Sequence, residues 1–302
     1  MLAMADLFLA VMLIRQSNAS VYSSESISQI QELLSESGIY ADKALLLQKS
    51  YELRLCKTQI SENIPAVASS VLLSGQIEET FLLPDGCAFY TDAGEKLTVT
   101  ADSRFVYSDG TEIDAEESGV PIDSKKELKA IEKNLTARLG LDTSSEDNFG
   151  ISILSAEETS AGTLVRAVQT IGGTEIVNNT VICVLSGEKL VFADGSLCFL
   201  TISERISAHL LDSVNILFIE KGENVGKEDI LLDENDTSGV SLALAEENTG
   251  KENRTVLKML QCYVSRYISD ENLFYFLPCW QITFDGGETI YYNAVNGEKT
   301  IP

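Results

Sequence analysis

Residues 163–191, TLVRAVQTIGGTEIVNNTVICVLSGEKLV, decide the fold class that the sequence predicts. They read as a β-hairpin, because runs rich in Val, Ile and Thr flank the pair Gly172-Gly173, which suits a tight turn. Residues 280–299, WQITFDGGETIYYNAVNGEK, repeat this order of strand, glycine pair, strand and a closing Gly-Glu-Lys turn. Each stretch follows a single amphipathic helix, so the two suggest copies of one helix–sheet unit.

Apolar residues spaced three or four apart predict helices at residues 24–38, at 124–140 and from 203 to about 220. Ser124 and Glu127 have the spacing of a capping box at the start of the second helix. Short apolar runs between Asp- and Gly-containing turns predict an antiparallel meander across residues 81–108. Further strands are predicted at 150–154, 163–171, 175–185, 189–192, 197–201, 240–244, 255–267, 273–284 and 289–294.

The expected fold class is therefore α+β, with repeated units of one helix packed on a short antiparallel sheet. Residues 21–115 are expected to form an N-terminal α+β domain. An acidic linker around residues 111–120 separates it from a C-terminal domain at 121–302, whose two helix–sheet repeats are 124–201 and 203–302.

The first 20 residues permit two interpretations. Residues 1–14, MLAMADLFLAVMLI, are apolar except for Asp6 and are followed by Arg15. They are fewer than the ~20 residues that a membrane-spanning helix needs. They form either an apolar N-terminal helix or the outer end of a truncated membrane anchor. The anchor is preferred, because the segment has no amphipathic period and a polar stretch follows it.

The charge balance excludes some partners. The chain has 22 Lys and Arg against 46 Asp and Glu, a formal net charge of −24. Such a charge repels nucleic-acid phosphates and anionic lipid surfaces, so neither nucleic-acid binding nor polybasic membrane docking is expected. It is typical of a well-solvated surface and could also favour a basic partner.

The residues give no pattern typical of catalysis, of a cofactor site or of a metal site. The six cysteines lack CxxC spacing and His209 is the only histidine, which argues against zinc. Cys183 with Cys198 and Cys262 with Cys279 could form disulfides, but buried free thiols are the preferred interpretation. His209 has no recognisable nucleophile motif to serve. The acidic run 233–236 lacks the alternating ligand pattern of an EF-hand loop. The protein is therefore expected to be non-enzymatic, with no catalytic residue, cofactor or metal.

The C-terminal hairpin is the most distinctive segment, because it concentrates the aromatic residues. Trp280, the only tryptophan, is expected in the core of the last domain. Tyr275, Tyr291 and Tyr292 form the candidate interaction surface, since clustered aromatic side chains on a strand can mark a binding site.

This hairpin also carries a family resemblance. Pro278-Cys279-Trp280-Gln281-Ile282, the glycines at 286–287, the Tyr-Asn-Ala of 292–294 and the Gly-Glu of 297–298 resemble the close of YycH/YycI-type regulatory proteins. Residues 172–190 are similar to an internal hairpin of that family, and both hairpins resemble the PepSY helix–sheet unit. Only the last hairpin is a specific match.

The resemblance implies a single-pass protein of a Gram-positive envelope, with the bulk of the chain outside the membrane and only the N-terminal segment within it. Members of that family modulate a sensor histidine kinase by contact, so the implied partner is a membrane sensor kinase or another envelope protein. The alternative is an envelope binding or inhibitor module of PepSY type that holds a peptide or a wall fragment.

Overall fold

The computed structural model describes residues 24–47, 52–61, 63–112, 119–141, 149–226 and 253–302. The described part of the fold is mostly β, with 49% of its residues in strands and 21% in helices. The helices are α1 (Ser24–Ser35), α2 (Lys43–Leu46), α3 (Ile64–Leu72), α4 (Lys125–Arg138) and α5 (Ser213–Gly226). The strands are β1 (Ile39–Ala41), β2 (Leu55–Thr58), β3 (Ile77–Leu83), β4 (Gly86–Thr91), β5 (Lys96–Thr100), β6 (Arg104–Ser108), β7 (Val120–Pro121), β8 (Phe149–Thr159), β9 (Gly162–Ile171), β10 (Thr174–Ser186), β11 (Lys189–Ser196), β12 (Ile202–Ile206), β13 (Arg254–Ile268), β14 (Leu273–Phe284), β15 (Thr289–Asn293) and β16 (Lys299–Thr300).

All of these strands belong to one mixed sheet of 16 strands. Its main order is β12-β2-β14-β13-β10-β11-β6-β5-β4-β3, and the strands β7 to β9 branch from β10 while β15 and β16 follow β14. Most pairs are antiparallel. The exceptions involve β13, which pairs in parallel with β1 and, through Ile176 and Tyr263, with β10.

The predicted α+β fold of repeated helix-on-sheet units is therefore wrong. The parallel pairings of β13 join strands that the repeat would assign to separate small sheets. The glycine turns recur for a local reason instead. Gly172 and Gly173 have φ values of 57° and 80°, which tight hairpin turns require and which residues other than glycine rarely adopt. Similar turns thus reflect hairpin chemistry and do not show a repeated unit.

The described residues fall into two compact units, each assembled from separate stretches of chain. The first unit comprises residues up to 52, then 209–261 and 279–301, and the second comprises 53–208 and 262–278 together with Pro302. The core of the first unit surrounds Trp280, Tyr292 and Phe284. The second unit has two clusters of buried residues, one around Val99, Phe105 and Leu135 and one around Phe276.

Two of the three predicted helices have the expected starts. The helix α1 begins at Ser24, and α4 follows Ser124, whose hydroxyl accepts the N–H of Glu127 at 3.4 Å. The third helix begins at Ser213, about ten residues later than predicted. The carboxylate of Asp212 accepts the N–H of Asn215 at 2.8 Å and so caps α5. The first residues of the predicted helix, up to Ile206, belong instead to strand β12, which pairs with β2.

The predicted meander is confirmed by the antiparallel pairs of β3 with β4, β4 with β5 and β5 with β6. The predicted strand at 197–201 is wrong, since these residues form a connection. Leu197, Cys198 and Leu200 are buried there, so the apolar run reflects burial rather than sheet pairing.

Several predictions concern residues outside the described ranges, among them the anchor at 1–20, the acidic run 233–236 and the strand at 240–244. Among the helices that are described, none has both the length and the apolar character needed to cross a bilayer.

Candidate interaction surface

The strand β3 lies at one end of the sheet, and among the described strands it pairs only with β4. All seven of its residues are exposed. One edge of its backbone is therefore open to a further strand, and its side chains are open to solvent on both faces.

Large apolar side chains are concentrated on this strand. Phe81 is 51% exposed, Leu82 85% and Leu83 37%, and Tyr90 on the neighbouring strand is 38% exposed. The ring of Phe81 meets that of Tyr90 edge to face, with centroids 5.6 Å apart. We call these four residues the edge patch. Phe81, Leu83 and Tyr90 lie on one face of the sheet and Leu82 lies on the other, so the end strand exposes apolar side chains on both faces. Clustered exposed apolar residues mark interaction sites more often than scattered ones do.

The register explains why Leu82 of the edge patch is not buried. Leu82 pairs with Cys87, Cys87 with Val99 and Val99 with Phe105, and directly paired residues share a face of the sheet. Val99 and Phe105 belong to the core of the second unit, whereas Leu82 is almost fully exposed. The core ends before β3, so the sheet extends one strand beyond its hydrophobic cover.

The start of β3 is fixed by the buried carboxylate of Glu95. It accepts the backbone N–H of Ser74 at 3.0 Å and that of Gly75 at 2.8 Å. The hydroxyls of Ser74, Thr91 and Tyr107 also donate to it, at 2.7, 3.2 and 3.2 Å. Burial alone would raise the pKa of Glu95, but the hydrogen bonds from Gly75, Ser74 and Thr91 outweigh it and lower the pKa. Glu95 therefore holds the entry to β3 as a charged, fully bonded group.

Further hydrogen bonds hold both ends of the strand. The N–H of Gln76 donates to the carboxylate of Asp92 at 2.9 Å, and the N–H of Asp92 donates to the carbonyl of Gln76 at 3.0 Å. At the other end, the N–H of Ala101 donates to the carbonyl of Asp85 at 2.8 Å. The edge strand is thus presented in a fixed position.

The charge on the strand is uniform in sign. Glu78 and Glu79 are exposed in its first half, and Asp85 is exposed in the turn that follows it. The second half contains the three apolar residues of the edge patch. The strand therefore has an acidic end and an apolar end.

The structure places the three predicted tyrosines in different settings. Tyr275 is half-buried in the second unit, where it pairs with Lys57 and the lysine Nζ lies 5.6 Å from the ring centroid. Tyr291 is half-buried in the first unit. Tyr292 is fully buried there, so it cannot form part of a surface. A partner contact at Tyr275 or Tyr291 stays a prediction. Trp280 is fully buried as expected, and its indole N–H donates to the Leu211 carbonyl at 2.8 Å.

The hydroxyl of Tyr292 donates to Glu220, which is 0% exposed. Arg254 forms an ion pair with Glu220, and the Nζ of Lys299 lies 3.4 Å from the same carboxylate. The Arg254 guanidinium also stacks 3.7 Å above the Phe284 ring. Burial raises the pKa of Glu220, but the Tyr292 hydrogen bond and the two positive charges outweigh it and lower the pKa. This cluster ties α5 to three strands of the first unit.

The remaining candidate groups for chemistry are His209 and the six cysteines. His209 is exposed and precedes α5. None of the six cysteines is in a disulfide, five of them are buried, and burial raises the pKa of Cys183 and of Cys198 to about 12. In the described part of the chain, no three His, Cys, Asp or Glu side chains are grouped so that they could hold a metal ion.

The sequence contained a signal for the edge patch. Phe81, Leu82 and Leu83 are consecutive, and alternate residues of a strand face opposite sides of the sheet. An apolar run of three in a one-sided strand must therefore expose at least one side chain.

Comparisons of the sequence with protein-family models and with curated proteins found no match.

Proposed function

We propose that this protein is a non-enzymatic regulatory protein that acts by binding another protein, and that the edge patch is its contact surface. The observation that carries the proposal is the apolar run of Phe81, Leu82 and Leu83, exposed on an end strand whose position is fixed. Native proteins usually protect such strands with charge, proline or a covering element, and the charges of β3 lie only in its first half, at Glu78 and Glu79. A protein that binds a partner there has a reason to leave the strand exposed.

The proposed partner is a membrane sensor kinase or another envelope protein. The support for this choice is the resemblance of residues 278–298 to the close of YycH/YycI-type regulators. We propose the same membrane arrangement as in those regulators. The N-terminal segment anchors the chain in the membrane, and the bulk of the chain lies outside the cytoplasm. In this setting the chain biases the kinase through contact and needs no catalytic group.

Photo-crosslinking in cells of the source organism tests this function. A photoreactive phenylalanine analogue at Leu82 is expected to give a light-dependent adduct with an envelope protein, identified by mass spectrometry. The same analogue at Leu154, which is 56% exposed on β8, is the control and should not give that adduct. The Leu82→Asp variant should also change the phosphorylation of the kinase's response regulator, while Leu154→Asp should not. Adducts that are the same at both positions, or absent from Leu82, would contradict the proposal.

A further inference from the structure

We infer that the edge patch binds an extended segment of its partner as an additional strand along β3, and that this segment has lysine or arginine at one end and apolar residues at the other. The inference rests on the proposed function and adds the conformation and chemistry of the bound segment to it. It follows from the open edge, the fixed position and the charge of β3.

The open edge supplies the main-chain contacts. In an antiparallel pair, alternate residues direct their N–H and C=O groups towards the partner strand and away from it. Since β4 is the only described strand that pairs with β3, every second residue of β3 directs these groups outwards. An extended chain that aligns with this edge satisfies them, and the side chains on the two faces then select its sequence.

The fixed position reduces the cost of binding. The hydrogen bonds of Glu95 to Ser74 and Gly75 hold the start of β3, and the turn after Leu83 holds its end. A strand that is already ordered loses little conformational entropy when a partner aligns with it.

Charge complementarity selects the occupant. Glu78 and Glu79 are exposed at the start of the strand, and β3 contains no lysine or arginine. A bound segment with basic residues beside the glutamates and apolar residues beside Phe81, Leu82 and Leu83 would match the strand along its length. Cross-strand pairs of opposite charge and pairs of apolar residues both stabilise a sheet.

A second copy of this chain fits the edge less well. Antiparallel pairing of β3 with itself about Thr80 would place Glu79 beside Phe81 and Glu78 beside Leu82 of the other copy. Four carboxylates would then lie along two apolar runs, with no basic residue on either strand. The formal net charge of −24 on each chain opposes such pairing further.

Three synthetic peptides of about nine residues, long enough to span a strand, test the inference with the full chain. The first alternates valine and threonine and has two lysines at one end. It is made in two versions, with the lysines at the C-terminus or at the N-terminus. The second has glutamates instead of the lysines. The third is the lysine peptide with alternate backbone nitrogens methylated, which prevents strand pairing. Fluorescence anisotropy of labelled peptides measures binding.

The lysine peptide is expected to bind in at least one of its two sequence directions. The glutamate and methylated peptides should bind more weakly by about ten-fold or more. The double variant Glu78→Lys/Glu79→Lys should reverse the preference between lysine and glutamate. Leu82→Asp should abolish binding, whereas the control Leu154→Asp should not. Hydrogen exchange should show that bound peptide protects the amides of Thr80 and Leu82.

Each contrary result identifies what is wrong. Equal binding of the methylated peptide would overturn strand pairing, while crosslinking at Leu82 would still support the proposed function. A dimer in analytical ultracentrifugation that Leu82→Asp dissociates would identify a second copy as the occupant. Protection of Thr80 and Leu82 without peptide would mean that this chain covers its own edge. Failure of both the peptides and the crosslinking would reject the inference together with the proposed function.

Discussion

Glu220 is the residue that organises the polar part of the first unit. Its buried carboxylate receives the Tyr292 hydroxyl and the positive charges of Arg254 and Lys299. A buried ion pair contributes little compared with apolar packing, but removal of one member leaves the other charge poorly compensated. Without Glu220, the only ion pair of Arg254 among the described residues would be the one with the exposed Glu288. The side chain of Arg254 is only 14% exposed, so water cannot replace Glu220 well.

We expect Glu220→Gln to lower the free energy of unfolding by about 3 kcal/mol, the lower end of the range for breaking a buried pair. The amide keeps the shape of the side chain and can still accept the Tyr292 hydrogen bond. Urea denaturation at neutral pH measures the effect. The control is Glu271→Gln at an exposed position, which should change stability by less than about 0.5 kcal/mol. Equal stabilities of the two variants would show that the charge of Glu220 does not stabilise the fold.

At the level of elements, β3 depends on a carboxylate that lies outside it. Because the pKa of Glu95 falls below its ordinary value of 4.5 on folding, its charge stabilises the fold fully above pH 4.5. This contribution is lost as the pH falls through the lower pKa of the folded state. Acid is therefore expected to loosen the entry to β3.

Glu95→Gln should destabilise the protein by about 2 kcal/mol at pH 7, because buried donors lose a charged acceptor. The difference from the unmodified protein should shrink as the pH falls below 4.5, where Glu95 itself becomes protonated. Urea denaturation between pH 7 and pH 3 follows the difference. Glu112→Gln, an exposed change, serves as the control. A difference that stays constant with pH would show that the charge of Glu95 is not the cause.

The contact between β10 and β13 is a second feature at the element scale. Their ladder has one residue pair, Ile176 with Tyr263, beside an irregularity in β10. Beyond this pair, the side chain of Asn178 connects the two strands. Its Oδ1 accepts the N–H of Ser265 at 2.8 Å, and its Nδ2 donates to the carbonyl of Ser265 at 3.0 Å. A side-chain amide thus replaces a backbone pair of the second unit.

Asn178→Ala should leave the buried N–H and C=O of Ser265 without these bonds and cost about 2 kcal/mol. The amide of Ser265 should exchange with solvent faster in this variant, which NMR-detected hydrogen exchange measures directly. The comparison is Asn296→Ala in an exposed turn, which should leave the exchange of Ser265 unchanged. Unchanged protection of Ser265 in Asn178→Ala would rule out the proposed replacement.

On the scale of the whole molecule, the dominant property is charge. A formal net charge of −24 in 302 residues repels itself most strongly when the chain is compact. Salt screens this repulsion over distances of about 10 Å at 0.1 M.

Raising sodium chloride from about 0.02 M to about 0.5 M should therefore raise the urea concentration at the unfolding midpoint. The same salt should weaken binding of the lysine peptide to β3, because its lysines are attracted to the opposite charges of Glu78 and Glu79. A midpoint that falls with salt would show that favourable ion pairs such as Glu220 with Arg254 outweigh the net repulsion.

The sequence by itself determined the local elements. The turn glycines, the cap at Ser124 and the alternation of apolar residues identified the meander and most hairpins, because these features depend on contacts between residues close in the chain. It also determined the charge and the burial of Trp280. It did not locate the start of α5, since the cap at Asp212 lies within a longer run of apolar residues at helical spacing.

Only the tertiary structure decided how the strands combine. The parallel pairing of β13 with β1 and β10 joins residues far apart in sequence, and no local pattern encodes it. The tertiary structure also decided which side chains are exposed. Tyr292 is buried because it packs in the core of the first unit, where Glu220, 72 positions earlier, accepts its hydroxyl. Phe81, Leu82 and Leu83 are exposed because the core ends one strand before them. Burial depends on which distant elements cover a residue, so the sequence identified the strand and the fold decided that its edge is open.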